Sequence, residues 1–140
     1  MRYVEINDVN LFEEYGLILK HYEVEPLTPN LFQTEVTGKT GVIDYTEFYG
    51  DLTYKNRSIT IKLLGFYDEK TQFLKYVLEN KYAGKEVKVS FSDDDECYWK
   101  GRLTISKMDD NCKKLEIEMT VNAHPFKFRK LYDTEVRQDV

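Results

Sequence analysis

Few residues in this chain stand at spacings that could do chemistry. Gly38-Lys39-Thr40 resembles the end of a phosphate-binding loop. Such a loop needs a glycine five residues before its Gly-Lys, and a helix after it, so that backbone N–H groups can cradle the phosphates. Gln33 occupies the first position and Gly41-Val42-Ile43 follows, so the mechanics fail. Asp93-Asp94-Asp95-Glu96 suggests calcium, but it lacks the central glycine and the distal bidentate glutamate of a calcium loop. It reads as a solvated hairpin turn. A second acidic pair, Asp109-Asp110, is expected at the other end of the intervening strand, too far away to share an ion.

His21 and His124 have no cysteine, histidine or glutamate at metal-ligand spacing. No Gly-x-Ser-x-Gly elbow occurs, and neither cysteine adjoins a histidine in sequence. Asn56-Arg57-Ser58 fits the glycosylation pattern but follows no signal segment, because Met1-Arg2-Tyr3-Val4-Glu5-Ile6-Asn7 turns polar at once. The expectation is a chain without catalytic, metal or cofactor sites, made in the cytoplasm. Cys97 and Cys112 are read as free thiols. If Cys97 to Ile105 pairs with Lys113 to Val121, they lie over ~20 Å apart, against about 4.4 to 6.8 Å for bridged Cα atoms.

Composition narrows the class. The 140 residues suggest one domain burying roughly 70% of its unfolded surface. With 41% apolar and 32% charged residues, and no apolar run near the ~20 residues of a membrane helix, the chain reads as soluble and non-spanning. A net charge of −5 with mixed signs argues against a nucleic-acid binder, which would cluster basic residues on one face.

The elements follow from periodicity. In Leu115-Glu116-Ile117-Glu118-Met119-Thr120-Val121 apolar and polar residues alternate, as in a strand with one wet face. Ile59, Ile61 and Leu63 line a second strand, and Val87, Val89 and Phe91 a third. Cys97, Trp99, Leu103 and Ile105 line a fourth, with a gap at Gly101. Ser92 to Glu96 and Ser106 to Cys112 are read as the turns of a three-stranded meander. Near the start, Tyr3 to Ile6 reads as a strand, Asn7-Asp8 as a turn, Leu11 to Tyr15 as a helical turn closed by Gly16, and Leu17 to Val24 as extended until Pro26 and Pro29.

From Asp68 to Tyr82 the period changes. Phe73, Leu74, Val77, Leu78 and Tyr82 recur at helical spacing, with Asp68 as N-cap and Gly84 at the left-handed end. One amphipathic helix of about four turns among antiparallel strands must lie on a sheet or close a sandwich. The expected architecture is mainly β, a β-sandwich-like core with this helix.

Leu31 to Thr37 reads as extended. Gly38, Gly41 and Gly50 then punctuate a run containing Val42, Ile43, Tyr45, Phe48, Tyr49, Leu52 and Tyr54. A structureless loop of ~20 residues is unusual in a compact domain, so residues 38–57 are read as a projecting β-hairpin arm. Its aromatics either fold back over the sandwich or form a surface between subunits, where tyrosine combines apolar area with a hydrogen-bonding tip. The flanking glycines favour the arm.

The opening Tyr3-Val4-Glu5-Ile6-Asn7-Asp8-Val9-Asn10-Leu11-Phe12-Glu13-Glu14-Tyr15-Gly16-Leu17-Ile18-Leu19 resembles the start of the distal tail proteins of long-tailed bacteriophages and prophages. So does Gly38 to Thr46 with Asn56-Arg57, and so do the helix, the meander and Ala123-His124-Pro125-Phe126-Lys127-Phe128. The likeness spans residues 1–128. It implies a virion structural protein of the tail tip, the baseplate hub. Its N-terminal domain would be a β-sandwich with a helix and an extended hairpin, forming a homo-hexameric ring. That ring would join the tail tube protein above to the tail-associated protein below. DNA would pass through its lumen, which an acidic chain would keep non-adhesive. Lys39-Thr40 stands where the family's arm often has Arg-Asp. Larger relatives continue into a second domain, and residues 129–140, charged and aperiodic, read as a frayed tail or linker stub. Two other readings stay open. One is a monomeric carbohydrate-binding β-sandwich using Tyr98 and Trp99, and the other is a tail-tube or tail-completion ring subunit.

Overall fold

The computed structural model describes residues 2–31, 33–35, 42–44, 53–66, 71–111 and 114–135. In chain order the elements are β1 (Val4–Ile6), β2 (Val9–Asn10), α1 (Leu11–Tyr15), β3 (Ile18–Val24), β4 (Gln33–Glu35), β5 (Val42–Asp44), β6 (Arg57–Phe66), α2 (Thr71–Tyr82), β7 (Glu86–Phe91), β8 (Asp94–Asn111), β9 (Lys114–Ala123), β10 (Phe128–Arg129) and β11 (Thr134–Glu135). The fold is mainly β, as expected. Its main sheet is antiparallel in the order β2-β1-β7-β8-β9-β6-β3, with β10 on β8 and β11 on β10.

Local chemistry fixes the first elements. Asn7 and Asp8 both adopt positive φ, 53° and 67°, so the β1–β2 hairpin turns in two residues. Asn7 then exchanges two hydrogen bonds with Lys88, its N–H donating to the backbone carbonyl and its Oδ1 accepting from the backbone N–H. Asn10 caps α1 by accepting from the N–H groups of Phe12 and Glu13 at 2.9 and 3.3 Å. Gly16, at φ 72°, ends it.

Alternation then builds the core. Ile59, Ile61 and Leu63 of β6, Val87, Val89 and Phe91 of β7, and Leu115, Ile117, Met119 and Val121 of β9 are all buried. Each fully buried Leu or Ile contributes about 1.5–3 kcal/mol of transfer free energy. The sheet curls until its margins meet. The Leu19 N–H of β3 donates to the Arg2 carbonyl at 3.2 Å, and the Tyr22 ring stacks on Phe91 of β7 at 3.8 Å and 5°. One folded sheet thereby supplies both layers of the sandwich-like core.

Two expectations need correction. Ser106 to Asn111, read as part of a turn, is strand: β8 runs on to Asn111, paired with β9 down to Asn111–Lys114. A bulge between Ile105 and Lys107 adds one residue, so Met108 instead of an odd-numbered residue packs on the core. The shift in parity hid the strand. The expected helix is present as α2, described from Thr71 to Tyr82, and Asp68 lies outside the described residues, but one member of its apolar stripe differs. Leu78 and Tyr82 are fully buried and Leu74 packs on the core, but Phe73 is 72% exposed. Leu74, Leu78 and Tyr82 face the core and Phe73 does not, and the chain is anchored at the end of the helix by the Gly84 N–H donating to Leu103 O and the Leu103 N–H donating to Lys85 O. Gly84 has the expected positive φ of 76°. Cys97 is a free thiol, whose pKa burial pushes up, and Cys112 lies outside the described residues.

Residues 128–135 return to β8. Phe128 pairs with Tyr98, Arg129 with Cys97, and Thr134–Glu135 closes a small hairpin on β10. The Tyr98 O–H donates to Asp133 at 2.7 Å, and Lys130 reaches Glu5 at 3.4 Å.

Tyr22 makes the closure sensitive to alkali. Its hydroxyl lies 2.8–2.9 Å from both oxygens of Asp93, and burial first, then this carboxylate, pushes its pKa to about 12 from 10.0. A raised folded-state pKa contributes stability that is complete below about pH 10 and disappears as pH rises through about 12. Tyr22→Phe should cost about 1 kcal/mol in urea unfolding at pH 8, and the gap from wild type should close between pH 10 and 12. Gly101 has no room for a side chain, because a Cβ there would sit 2.3 Å from Asn122 O and 2.6 Å from Ala123 Cα. Gly101→Ala must push β8 from β9 and should lower unfolding free energy by more than ~2 kcal/mol.

Candidate functional site

The segment read as an arm begins where Pro26 and Pro29 follow β3. At its base the Lys55 N–H donates to Thr28 O and the Asn30 N–H to Thr53 O, each at 2.8 Å, with Pro29 bridged to Tyr54. Beyond these pairs along the chain, Gln33, Thr34 and Glu35 pair with Asp44, Ile43 and Val42, forming a two-stranded sheet separate from the main one. The hairpin thus starts before residue 38, and Gly38 and Gly41 fall between its strands in sequence. Between the Asn30–Thr53 and Gln33–Asp44 pairs the outgoing limb has two residues, 31 and 32, and the returning limb eight, 45 to 52. Most of the aromatic run is this excess length.

Of the residues read as an intersubunit surface, Val42 and Ile43 belong to β5 and Tyr54 sits at the base. Tyr45, Phe48, Tyr49 and Leu52 lie outside the described residues. The Tyr54 ring is half-buried and meets Phe126 edge-on at 5.4 Å and 84°. The base of the arm is therefore fastened to the segment that follows β9.

Arg57 completes that base. It opens β6, pairs with Ala123, and through Ala123 is aligned with Gly101 of β8. With small residues in that row, its guanidinium reaches the Trp99 ring at 5.6 Å. Its Nε is buried without a hydrogen bond, and burial lowers its pKa.

The other motifs are structurally occupied. Asp93 receives the Tyr22 hydroxyl and Asp94 the Lys127 ammonium. His21 pairs with Glu23 and His124 with Glu135, each at 3.2 Å. Among the described residues no three His, Cys, Asp or Glu side chains converge as metal ligands. Tyr98 and Trp99 do not form an open sugar platform. Tyr98 is 7% exposed with Phe128 stacked on it at 5.5 Å, and Trp99 is half-buried under Arg57. The sequence reading missed the β10–β11 cover over Tyr98. Its only signal was Phe126-Lys127-Phe128, too short an alternation to define a strand.

The described residues thus form a curled antiparallel sheet with two helices and a separate two-stranded hairpin. No protein-family model matches the sequence, and no curated protein is detectably similar to it. Among solved structures, the fold is similar to the Dit protein of phage SPP1, described as a paradigm of the hub adsorption apparatus in phages infecting Gram-positive bacteria. The TM-score is 0.65 at 13% identity, over 92% of this chain and 52% of that one. This chain spans about half the length of that protein. Chains of a native gene transfer agent virion and of an empty gene transfer agent tail align at TM-scores of 0.37 and 0.38, both at 12% identity. Each covers 74% of this chain, and 78% and 76% of the other.

Trp99 is the chain's single tryptophan and reports on the base of the arm. Arg57→Ala should red-shift its emission and cost about 0.5–1 kcal/mol of stability, as expected for a partly exposed cation–π contact. An unshifted spectrum would show that the guanidinium does not cover the ring in solution.

Proposed function

We propose that this chain is a non-enzymatic structural subunit of a phage or prophage tail tip, a distal-tail hub protein. It is made in the bacterial cytoplasm and incorporated into the virion tail. The observation that carries this reading is the match of nearly the whole chain to the fold of the SPP1 hub protein at 13% identity. Fold alone does not fix function, so the arm supplies the second support. A two-stranded hairpin separate from the main sheet is marginal on its own in water, and a neighbouring subunit is the natural cover.

In this reading residues 1–128 form the ring domain. Six copies close a ring through one repeated head-to-tail contact. The arm residues Val42, Ile43, Tyr45, Phe48, Tyr49, Leu52 and Tyr54 contribute to that contact. The tail tube protein docks on one face and the tail-associated protein on the other. DNA passes through the lumen without adhering, consistent with the net charge of −5.

Light scattering across a concentration series tests self-assembly. Six chains of 16.7 kDa give about 100 kDa, and the ring should dissociate on dilution. Substituting Tyr45, Phe48 and Tyr49 together by serine should leave a folded monomer. A 16.7 kDa particle at every wild-type concentration, or an oligomer indifferent to the triple substitution, counts against the arm-built ring.

A further inference from the structure

Three large aromatic side chains on the elements that flank residues 67–70 in sequence lie open to solvent. Phe66 is 80% exposed, Phe73 72% and Tyr76 66%. Phe73 and Tyr76 are three residues apart on α2 and therefore neighbours on one side of it. Phe66 ends β6, and nine strand steps, roughly 30 Å, separate it from Arg57 at the base of the arm.

Thr71 follows Phe66 by five residues, a reach of at most ~18 Å, so the helix starts from the Phe66 end. Its C-terminal side is fixed by the Gly84 N–H bonding Leu103 O, and Leu103 is aligned through Val121 with Ile59. From Phe66 to Ile59 the strand spans about 23 Å, close to the ~18 Å length of a twelve-residue helix. Phe73 and Tyr76, in the first half of α2, thus sit at the end of the sheet remote from the arm.

Such a placement has a consequence for assembly. A closed head-to-tail ring uses two different patches of each subunit, on opposite sides. The arm is one, and it carries Leu31, 57% exposed. Covering three aromatic side chains would bury roughly 400 Å², about half of the ~800 Å² one partner contributes to a stable interface. We infer that Phe66, Phe73 and Tyr76 are the acceptor surface for the arm of a second copy of this chain. The inference rests on the self-assembling hub reading above, and names the surface that reading leaves unassigned.

Photocrosslinking tests it. With p-benzoylphenylalanine at position 76, an irradiated mixture of isotopically heavy and light chains should give heavy–light adducts within residues 28–55. The double variant Phe73→Ser/Tyr76→Ser removes only exposed groups. It should keep the wild-type melting curve while weakening association at least about tenfold. An oligomeric mass with adducts elsewhere, or with association untouched by the double variant, overturns the acceptor and leaves the hub reading standing. A monomeric mass with no intermolecular adduct overturns both.

Discussion

Strand β9 is hydrogen-bonded along both edges, to β6 from Lys114–Phe66 to Ala123–Arg57 and to β8 from Lys114–Asn111 to Ala123–Gly101. The rest of the molecule takes its position from this double ladder. Its alternation puts Leu115, Ile117, Met119, Val121 and Ala123 on the inner side, where all are buried. A slip of one residue would present glutamates and asparagine to the core instead. The close approach at Gly101, which admits no Cβ, holds the end of the ladder where Arg57, Trp99 and the base of the arm converge.

Charge plays a smaller part than apolar burial. The pairs Lys20–Glu116, Lys100–Glu86 and Lys107–Asp109 are about half exposed at both ends, where solvent and salt screen them and leave little net stabilisation. Two side-chain hydrogen bonds have architectural effect. Tyr22–Asp93 joins β3 to the β7–β8 turn, and Tyr98–Asp133 holds the C-terminal hairpin over β8. Each links segments far apart in sequence, so each fixes shape as well as adding stability.

Features written in local residue chemistry were legible in the sequence. The Asn7-Asp8 turn, the short helix closed by Gly16, the left-handed Gly84 and the alternating strands β6, β7 and β9 each depend on residues adjacent to one another. Features that depend on distant partners were not. The bulge after Ile105 disguised the last part of β8, because one extra residue moves the inward position from odd to even numbers. Phe73 has helical spacing with Val77 but lacks a covering surface, which no periodicity reports. The arm's aromatic content was visible, while the unequal lengths of its limbs follow only from which residues pair. Tyr98 looked like an outward residue of β8, and it is buried because residues 128–135 return to it.

The pairing of the first strand also sets an order of events during synthesis. Val4 is hydrogen-bonded into the sheet opposite Phe91, 87 positions later in the chain. At about 5–20 residues per second, the ribosome needs roughly 4–17 s to supply that partner. Through this interval β1 has only the two residues of β2 beside it and one edge open. A long apolar edge waiting that long would recruit other nascent chains. With three residues and a charged Glu5 at its centre, β1 is too short and too polar to be an effective template, so the late closure of the sheet is compatible with crowded, repeated production of the same chain.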